Sequence, residues 1–181
     1  MFIVLADIHG CITNLKTVLD KYSQQPIKGI IVLGDILNHG PRNPMVDEYS
    51  PLKCATLLNA FATQVIAVRG NCDSEVDQML LNFPMMSDMA IVYLKDRRIV
   101  LSHGHLYSDD ASDDFFSDGD VYLFGHSHLP KAEYSKQRYL LNPGSITLAK
   151  GGFEQSYGIL DADGFAVYNL NHQRIIGIEF G

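Results

Sequence analysis

The stretch Ile3-Val4-Leu5-Ala6-Asp7-Ile8-His9-Gly10 decides the architecture of this chain. Its first residues form an apolar run of strand formers that a glycine ends, which predicts a short buried strand. Asp7 and His9 come at the carboxyl end of that strand, and residues two apart on an extended chain point to the same side. A carboxylate and an imidazole can therefore converge on one metal ion. Because Asp-x-His is common by chance, two polar loop residues at a strand end are the alternative interpretation until further ligands are found.

The same pattern, an apolar run that ends in a residue able to bind a metal, recurs along the chain. A helix from residue 11 or 13 to residue 22 separates the first strand from a second at 29–33, and this order predicts two parallel neighbours. Asp35 should therefore lie beside Asp7 at one edge of the sheet. Three further strands are followed by ligand-type residues, namely Asn71, His103, and His126 with His128.

The remaining periodicity predicts short strands and few helices, which indicates an α/β (α+β) fold of two stacked mixed sheets with helices outside. The predicted strands cover residues 64–68, 90–94, 97–101, 121–124, 131–135, 138–141, 157–160, 165–170 and 175–180, and the predicted helices cover 51–63 and 75–81. Residues 38–50 have no period and predict a long loop, and the acidic segment 109–120 predicts a short helix or an exposed loop. Nothing in the sequence indicates a second domain, so we expect a single domain over residues 1–181.

Composition restricts the classes of function. With 46% hydrophobic residues the chain can form a substantial core, and no apolar run approaches the roughly 20 residues that span a bilayer. The three cysteines form no Cys-x-x-Cys pair and the N-terminus lacks a secretory signal, so we expect reduced thiols and a soluble, cytoplasmic protein with no membrane partner. A formal charge of -7 without a basic run argues against a long nucleic acid as ligand, whereas a small anion at a bound metal is compatible with it.

The ligand-type residues are too many for one tetrahedral ion. Two ions about 3.5 to 4 Å apart, bridged by one carboxylate, would use all of them, and such a pair is suited to phosphoester hydrolysis. Imidazole and oxygen ligands without thiolate favour Mn, Fe, Zn or Ni, and the sequence does not choose among these metals. The set comprises Asp7, His9, Asp35, Asn71, His103, His126 and His128.

The ordered motifs D-x-H, G-D, G-N-x-D, H-G-H and G-H-S-H resemble those of the calcineurin-like metallophosphoesterases, in the form found in small bacterial phosphodiesterases of the YfcE type. The similarity includes D-I-L-N-H-G-P-R-N at 35–43 and N-P-G-S at 142–145, and it covers nearly the whole chain. It implies a four-layered αββα sandwich. It also implies that one ion is bound by Asp7, His9, Asp35 and His128, and the other by Asp35, Asn71, His103 and His126, with Asp35 as the bridge.

The activity that this resemblance implies is that of a metal-dependent phosphodiesterase. A hydroxide that bridges the two divalent ions, its pKa lowered by coordination, would attack phosphorus in line. Manganese is the ion that we expect first, with zinc, iron or nickel as the alternatives. Two divalent ions, two carboxylates and one hydroxide leave a small local positive charge, which would attract a small-molecule phosphodiester.

Four further residues are candidates for the leaving-group side and for substrate contacts. Many relatives have His after the Asn of G-N-x-D, where this chain has Cys72, a weak proton donor. We therefore expect diesters with good leaving groups to be preferred, with weak or no phosphomonoesterase activity. Asp73 is a candidate for one of the groups that orient the imidazoles. His39 and Arg42 in the 38–50 loop either contact substrate or pack within the loop.

The sequence leaves two other functions open. One is a non-catalytic interaction scaffold of the same fold, as in the retromer subunit that has lost parts of the metal set, although no ligand is missing here. The other is a nuclease, as among the larger DNA-repair relatives, which the acidic balance disfavours. The many apolar and aromatic residues of the second half permit a homo-oligomer. His105, two residues after His103, is expected to be structural or to support the ligands.

Overall fold

Two β-sheets and three α-helices are formed by the residues that the computed structural model describes, which are 1–108 and 115–181. The strands are β1 (Phe2–Leu5), β2 (Gly29–Val32), β3 (Val65–Ala67), β4 (Met89–Leu94), β5 (Arg97–Ser102), β6 (Val121–Leu123), β7 (Lys131–Ser135), β8 (Arg138–Asn142), β9 (Ser156–Leu160), β10 (Gly164–Asn169) and β11 (Arg174–Glu179). The α-helices are α1 (Ile12–Tyr22), α2 (Pro51–Asn59) and α3 (Glu75–Gln78), and a 3₁₀ turn covers Ala62–Gln64.

Both sheets are mixed. The first has the strand order β11-β10-β9-β1-β2-β3, in which β1, β2 and β3 are parallel neighbours and β9 is antiparallel to β1. The second has the order β4-β5-β6-β8-β7, in which β5, β6 and β8 are parallel and both edge strands are antiparallel. In each sheet the parallel strands therefore end at a common edge, and these edges carry the predicted ligands.

Alternating side chains on the central strands divide the core into two apolar layers. On β1, Val4 packs in the cluster that contains Leu101 and Leu123 of the second sheet, whereas Ile3 and Leu5 belong to the cluster on the helical side. All five side chains are fully buried. Because both faces of β1 are covered, its sequence is an unbroken apolar run rather than an alternating one.

Helix α1 buries one apolar stripe against the first sheet. Its buried residues are Leu15, Val18, Leu19 and Tyr22, and their spacing places them on one face of the helix. The helix begins at Ile12, between the two predicted starts. It separates two parallel strands, as the sequence predicted.

The other two helices are shorter than predicted. Helix α2 ends at Asn59 rather than at residue 63, because the chain tightens into the 3₁₀ turn Ala62–Gln64 before β3. Helix α3 ends at Gln78 rather than at residue 81. The side chain of Gln78 donates to two backbone carbonyls beyond the helix and accepts a hydrogen bond from a backbone N–H, so it holds the chain in a turn.

No helix in the described ranges is long and apolar enough to cross a bilayer.

The predicted arrangement of two stacked mixed sheets with helices outside is confirmed. On the outer face of the second sheet, Val100, Tyr122 and Leu140 form a separate apolar cluster against which Phe116 packs. Of the segment 109–120, predicted as a short helix or loop, residues 109–114 lie outside the described residues.

Candidate metal centre

Five predicted ligands have a left-handed backbone conformation, which residues other than glycine rarely adopt. The φ angles are 54° at Asp7, 47° at His9, 52° at Asp35, 63° at His126 and 60° at His128. Such strain persists only where surrounding contacts impose it, and it is concentrated at functional sites. The loops after β1, β2 and β6 therefore have backbone conformations that serve the side chains they present rather than local stability.

Carboxylates and imidazoles from these loops meet in one buried cluster. Asp7 Oδ1 lies 3.2 Å from His128 Nε2 and 3.9 Å from His9 Nε2. Asp35 Oδ2 lies 3.8 Å from His9 Nε2 and 3.6 Å from His103 Nε2. Asp35 is thus placed between two imidazoles, which is the position that a bridging carboxylate requires.

The two remaining predicted ligands complete the cluster. Asn71 Oδ1 lies 3.2 Å from His103 Nε2, and the ring centroids of His126 and His103 are 5.1 Å apart. The backbone N–H of His126 also donates to Asp7 Oδ2 at 3.1 Å. All seven predicted ligands therefore lie together, although they follow strands of both sheets, and their roles as ligands stay a prediction.

Two atoms in this cluster are fully buried and make no hydrogen bond of acceptable geometry with the described residues. They are Asp7 Oδ1 and His9 Nε2. An unsatisfied buried group costs about 1 to 3 kcal/mol. Donor atoms within 4.8 Å of one another occur in the groups Asp7, His9 and His128, then Asp7, Asp35 and His103, and also His9, Asp35 and Cys72. A divalent cation fits this donor set, because it would satisfy both orphaned atoms.

Backbone carbonyls orient three of the imidazoles through their Nδ1 atoms. The contacts are His9 Nδ1 to Asn38 O at 2.9 Å, His103 Nδ1 to Leu33 O at 2.6 Å and His128 Nδ1 to Leu148 O at 2.5 Å. Since a carbonyl only accepts, Nδ1 carries the proton in each neutral ring and Nε2 presents its lone pair to the cluster. Metal-binding histidines are usually held in this way.

The carboxylate of Asp7 and the imidazole of His128 favour each other's charged forms. Burial acts to raise the pKa of Asp7, yet the interaction with His128 and the charges of His103 and His9 hold it below its usual value. Burial opposes protonation of His128, but the Asp7 carboxylate raises the pKa of that imidazole. The cluster therefore attracts positive charge, which a metal ion would supply in place of the proton.

Asp73 lies behind the Asp35 loop. Its carboxylate accepts three hydrogen bonds of 2.8 Å, from the backbone N–H groups of Asp35, Ile36 and Gly70. Burial raises the pKa of Asp73 to about 6, and these three bonds act in the opposite direction. Asp73 thus contacts the backbone of Asp35 rather than an imidazole, and its role in orienting the ligands stays a prediction.

The segment 142–148 braces the cluster, a function that the sequence analysis did not assign to it. Its side chains bond to the backbone of two ligand loops, through Ser145 Oγ to Asp7 O, Thr147 Oγ1 to Ile8 O and Asn142 Nδ2 to Gly125 O, each at 2.8 Å. The N-P-G-S motif at 142–145 was the only sequence signal for this segment. Its partners near β1 are 138 and 139 residues away in sequence, so local pattern did not identify them.

A cavity of about 550 Å³ opens onto the cluster. Arg42, a predicted substrate contact, and Cys72, predicted for the leaving-group side, line it, and these roles stay predictions. His105 and Lys150 line it as well, and Lys150 was not predicted from the sequence. His39 is not among the lining residues. Its ring packs edge-on against Tyr49 with centroids 5.5 Å apart, so packing within the loop is the contact that the structure shows.

Cys72 is a neutral thiol in the wall of this cavity. Burial and the negative charge of Asp35 raise its pKa to about 12. Its backbone N–H donates to Asp35 Oδ1 at 2.8 Å, and Asn71 Nδ2 lies within donating distance of its sulfur at 3.2 Å. Cys72 is therefore next to the proposed bridging carboxylate and carries no charge at neutral pH.

Comparison with known proteins assigns this combination of fold and cluster to a family. The family profile described as "Calcineurin-like phosphoesterase superfamily domain" matches residues 1–164. The chain belongs to this superfamily. The resemblance inferred from the ordered motifs is thereby confirmed.

Individual relatives agree with this membership. Phosphodiesterase YfcE of Escherichia coli strain K12 is 46% identical over 171 residues, which cover 94% of this chain and 92% of YfcE. A solved structure of Yfce, described as a phosphoesterase from E. coli, matches with a TM-score of 0.95 and 41% identity and covers 99% of both chains. Vps29 of Entamoeba histolytica, solved in complex with zinc, has a TM-score of 0.63 at 17% identity and covers 99% of both chains, which shows the fold alone. The predicted enzyme class is confirmed by the superfamily and by this YfcE relationship.

Proposed function

We propose that this chain is a phosphodiesterase that uses two divalent ions, with manganese as the first candidate, to hydrolyse a small-molecule diester. One ion is held by Asp7, His9, Asp35 and His128, and the other by Asp35, Asn71, His103 and His126. Asp35 is the bridging ligand. The 46% identity to a protein named a phosphodiesterase supports the reaction class.

The observation that carries the proposal is the pair of orphaned buried atoms, Asp7 Oδ1 and His9 Nε2. Native proteins rarely leave buried polar groups without partners, and these two face a cluster of further donor atoms. Buried donor atoms without partners, together with backbone strain at five ligand positions, favour an enzyme over a scaffold.

The chain's own residues position the reaction. When bound, the ions supply Lewis-acid polarisation of the phosphoryl oxygens and a bridging hydroxide as nucleophile. Carbonyl groups hold three imidazoles with Nε2 directed inward, and Asp73 holds the backbone of Asp35. Arg42 lines the cavity, where its guanidinium can bind an anionic group of the substrate.

The chemistry of Cys72 is the basis for a proposed preference for diesters over monoesters. A thiol whose pKa is raised to about 12 is a poor acid, and it provides no positive charge for the additional negative charge of a monoester. The substrate must therefore supply a leaving group that departs without help from this position. We propose weak or no phosphomonoesterase activity for this reason.

We further propose that residues 1–181 act as one domain and that the protein functions in the cytoplasm. All three cysteines are free, and Cys11 and Cys54 are buried. Reduced thiols support a reducing compartment.

Hydrolysis of bis-p-nitrophenyl phosphate tests the proposed reaction. The initial rate is measured with added Mn²⁺ and again after chelation, and Zn²⁺, Fe²⁺ and Ni²⁺ are then substituted in turn. We expect turnover that requires the metal and is abolished by the chelator. The relative rates identify the preferred ion.

A matched pair of histidine variants provides the control. His128→Ala removes a proposed ligand, whereas His172→Ala removes an imidazole outside the cluster whose contact is the Tyr157 hydroxyl, at 3.0 Å. We expect the first variant to lose turnover and the second to retain it. A folded protein that binds none of these metals and hydrolyses no diester would contradict the proposal and favour the scaffold.

A further inference from the structure

Two cationic side chains at the cavity have no partner within the part of the chain that the structure describes. Arg42 and Lys150 both line the cavity and are exposed, and neither has an ion pair or a side-chain hydrogen bond there. Some other cations of this acidic protein are paired, as Arg69 is with Asp88 and Lys95 with Asp163, whereas surface lysines such as Lys53 are not. The cavity therefore presents positive charge that the protein itself does not neutralise.

The charge of a simple diester does not account for these two cations. Two divalent ions, two carboxylates and one bridging hydroxide leave about one positive charge, which a monoanionic diester already neutralises. Arg42 and Lys150 add two more positive charges at the same cavity. A phosphate monoester group carries about 1.5 to 2 negative charges at neutral pH, which matches that excess.

The size and lining of the cavity also favour a polar, multiply charged occupant. Its volume of about 550 Å³ is far larger than one phosphate group and falls within the range of small-ligand sites. Apart from Pro41, Cys72 and one glycine, the lining side chains are polar or charged, and none is a phenylalanine, tyrosine or aliphatic residue. The part of the substrate beyond the scissile phosphate is therefore recognised by charge and hydrogen bonds rather than by apolar packing.

We infer that Arg42 and Lys150 bind a second phosphate group, so that the preferred substrates are phosphodiesters that also carry a phosphate monoester. Arg42 comes from the loop after β2, and Lys150 comes from the segment after β8. The backbone N–H of Lys150 donates to the carbonyl oxygen of His128 at 3.4 Å. The two cations thus reach the cavity from separate loops, each attached to a loop of the metal cluster. This inference rests on the proposed phosphodiesterase function.

Two esters that differ only in the second phosphate test the inference kinetically. They are thymidine 5′-(p-nitrophenyl phosphate) and its 3′-phosphate derivative, and both release p-nitrophenolate from the same position. We expect kcat/KM to be about tenfold higher for the derivative in wild-type protein, and this preference to fall to about threefold in Lys150→Gln and to shrink in high salt. Lys53→Gln, on the exposed side of α2, is the matched control and should keep the wild-type preference. Lys150→Arg should also keep it.

Binding provides a readout that does not depend on turnover. Calorimetric titration with thymidine 3′,5′-bisphosphate and with thymidine 5′-monophosphate, in metal-loaded and in chelated protein, should show tighter binding of the bisphosphate in wild type and a smaller difference in Lys150→Gln. Equal affinities for the two nucleotides, equal kcat/KM for the two esters, or an unchanged preference in Lys150→Gln would overturn the inference. Failure of the metal-loaded protein to hydrolyse bis-p-nitrophenyl phosphate would instead contradict the proposed reaction, and the titration would still decide whether the second phosphate is bound.

Discussion

Most candidate ligands are positioned by backbone or side-chain groups from other parts of the chain. His9 is held by the carbonyl of Asn38, and Asp35 is held through its backbone N–H by the buried carboxylate of Asp73. The geometry of Asp35 is also limited by Gly70, whose backbone lies so close to Asp35 that no side chain fits between them. Substitutions beside the ligands are therefore expected to change metal binding even though they remove no donor atom.

Gly70→Ala should weaken metal binding. A Cβ atom at this position would lie 2.1 Å from Asp35 Oδ1 and 2.4 Å from its backbone nitrogen, so the loop carrying Asp35 must shift. We expect Mn²⁺ affinity to fall by about 10- to 100-fold, as it does when groups that support metal ligands are changed. Fluorescence- or calorimetry-monitored titration with Mn²⁺ measures this change.

Gly181→Ala is the control for that substitution, because a Cβ there would have its nearest neighbour at 3.7 Å. It should bind Mn²⁺ as the wild type does. Wild-type affinity in Gly70→Ala would show that the ligand set tolerates a displaced Asp35 loop.

Cys72→His should raise the rate on p-nitrophenyl phosphate relative to bis-p-nitrophenyl phosphate. An imidazole can donate a proton or hold a phosphate oxygen where the thiol, with its pKa raised to about 12, does neither well. We expect the monoester-to-diester rate ratio to increase by about tenfold or more. Cys72→Ala should have the ratio of the wild type, and a ratio that also stays constant in Cys72→His would rule out this account of the diester preference.

At the scale of elements, the parallel strands explain why ligands distant in sequence come together. Asp7, Asp35 and Asn71 follow β1, β2 and β3 of the first sheet, and His103 and His126 follow β5 and β6 of the second. The segment 142–148 after β8 connects these loops through its side chains. The site is thus assembled from strand ends and braced by one loop.

Ser145→Ala should test that bracing. Ser145 Oγ donates to the carbonyl of Asp7 at 2.8 Å and accepts from the N–H groups of Thr147 and Leu148, at 3.1 Å and 2.8 Å. Loss of these buried bonds should lower the free energy of unfolding by about 1 to 3 kcal/mol. Because the carbonyl of Leu148 orients His128, Mn²⁺ affinity should fall as well.

Urea denaturation and Mn²⁺ titration measure both effects. Ser135→Ala, at the end of β7, is the matched control, since Ser135 makes no side-chain hydrogen bond with the described residues. Loss of stability without any change in Mn²⁺ affinity would limit the role of Ser145 to folding.

At the scale of the whole molecule, a bound metal would join the two sheets. Asp35 follows a strand of the first sheet and His103 a strand of the second, and these two buried side chains meet at 3.6 Å within the cluster. Ligands that bind only the folded chain stabilise it, and the effect increases with their concentration. Metal binding and stability should therefore be coupled in this protein.

Mn²⁺ at one hundred times its dissociation constant should stabilise the wild type by about 2.7 kcal/mol. For a chain of this size the melting temperature then rises by about 5 to 10 °C. Asp35→Asn, which removes the proposed bridging charge, should abolish the shift, whereas Asp96→Asn in the exposed turn between β4 and β5 should preserve it. Differential scanning calorimetry with and without Mn²⁺ decides this, and a full shift in Asp35→Asn would exclude the bridging role.

The sequence by itself determined the strands, the ligand types and the family of this protein. Apolar runs such as Ile3 to Leu5 and the polar residues that end them are local properties, so the order of elements and the seven candidate ligands could be predicted from the sequence. Helix ends were less predictable, because α3 stops where the Gln78 side chain bonds to the backbone beyond it.

Only the tertiary structure decided how the ligands are held and what else reaches the cavity. The carbonyl of Leu33 orients His103 from 70 residues away, and Ser145 braces Asp7 from 138 residues away. Lys150 lines the cavity, whereas His39, for which either substrate contact or packing within the loop was predicted, packs on Tyr49. These contacts join loops of different strands, and their partners are defined by how the two sheets pack rather than by any spacing along the chain.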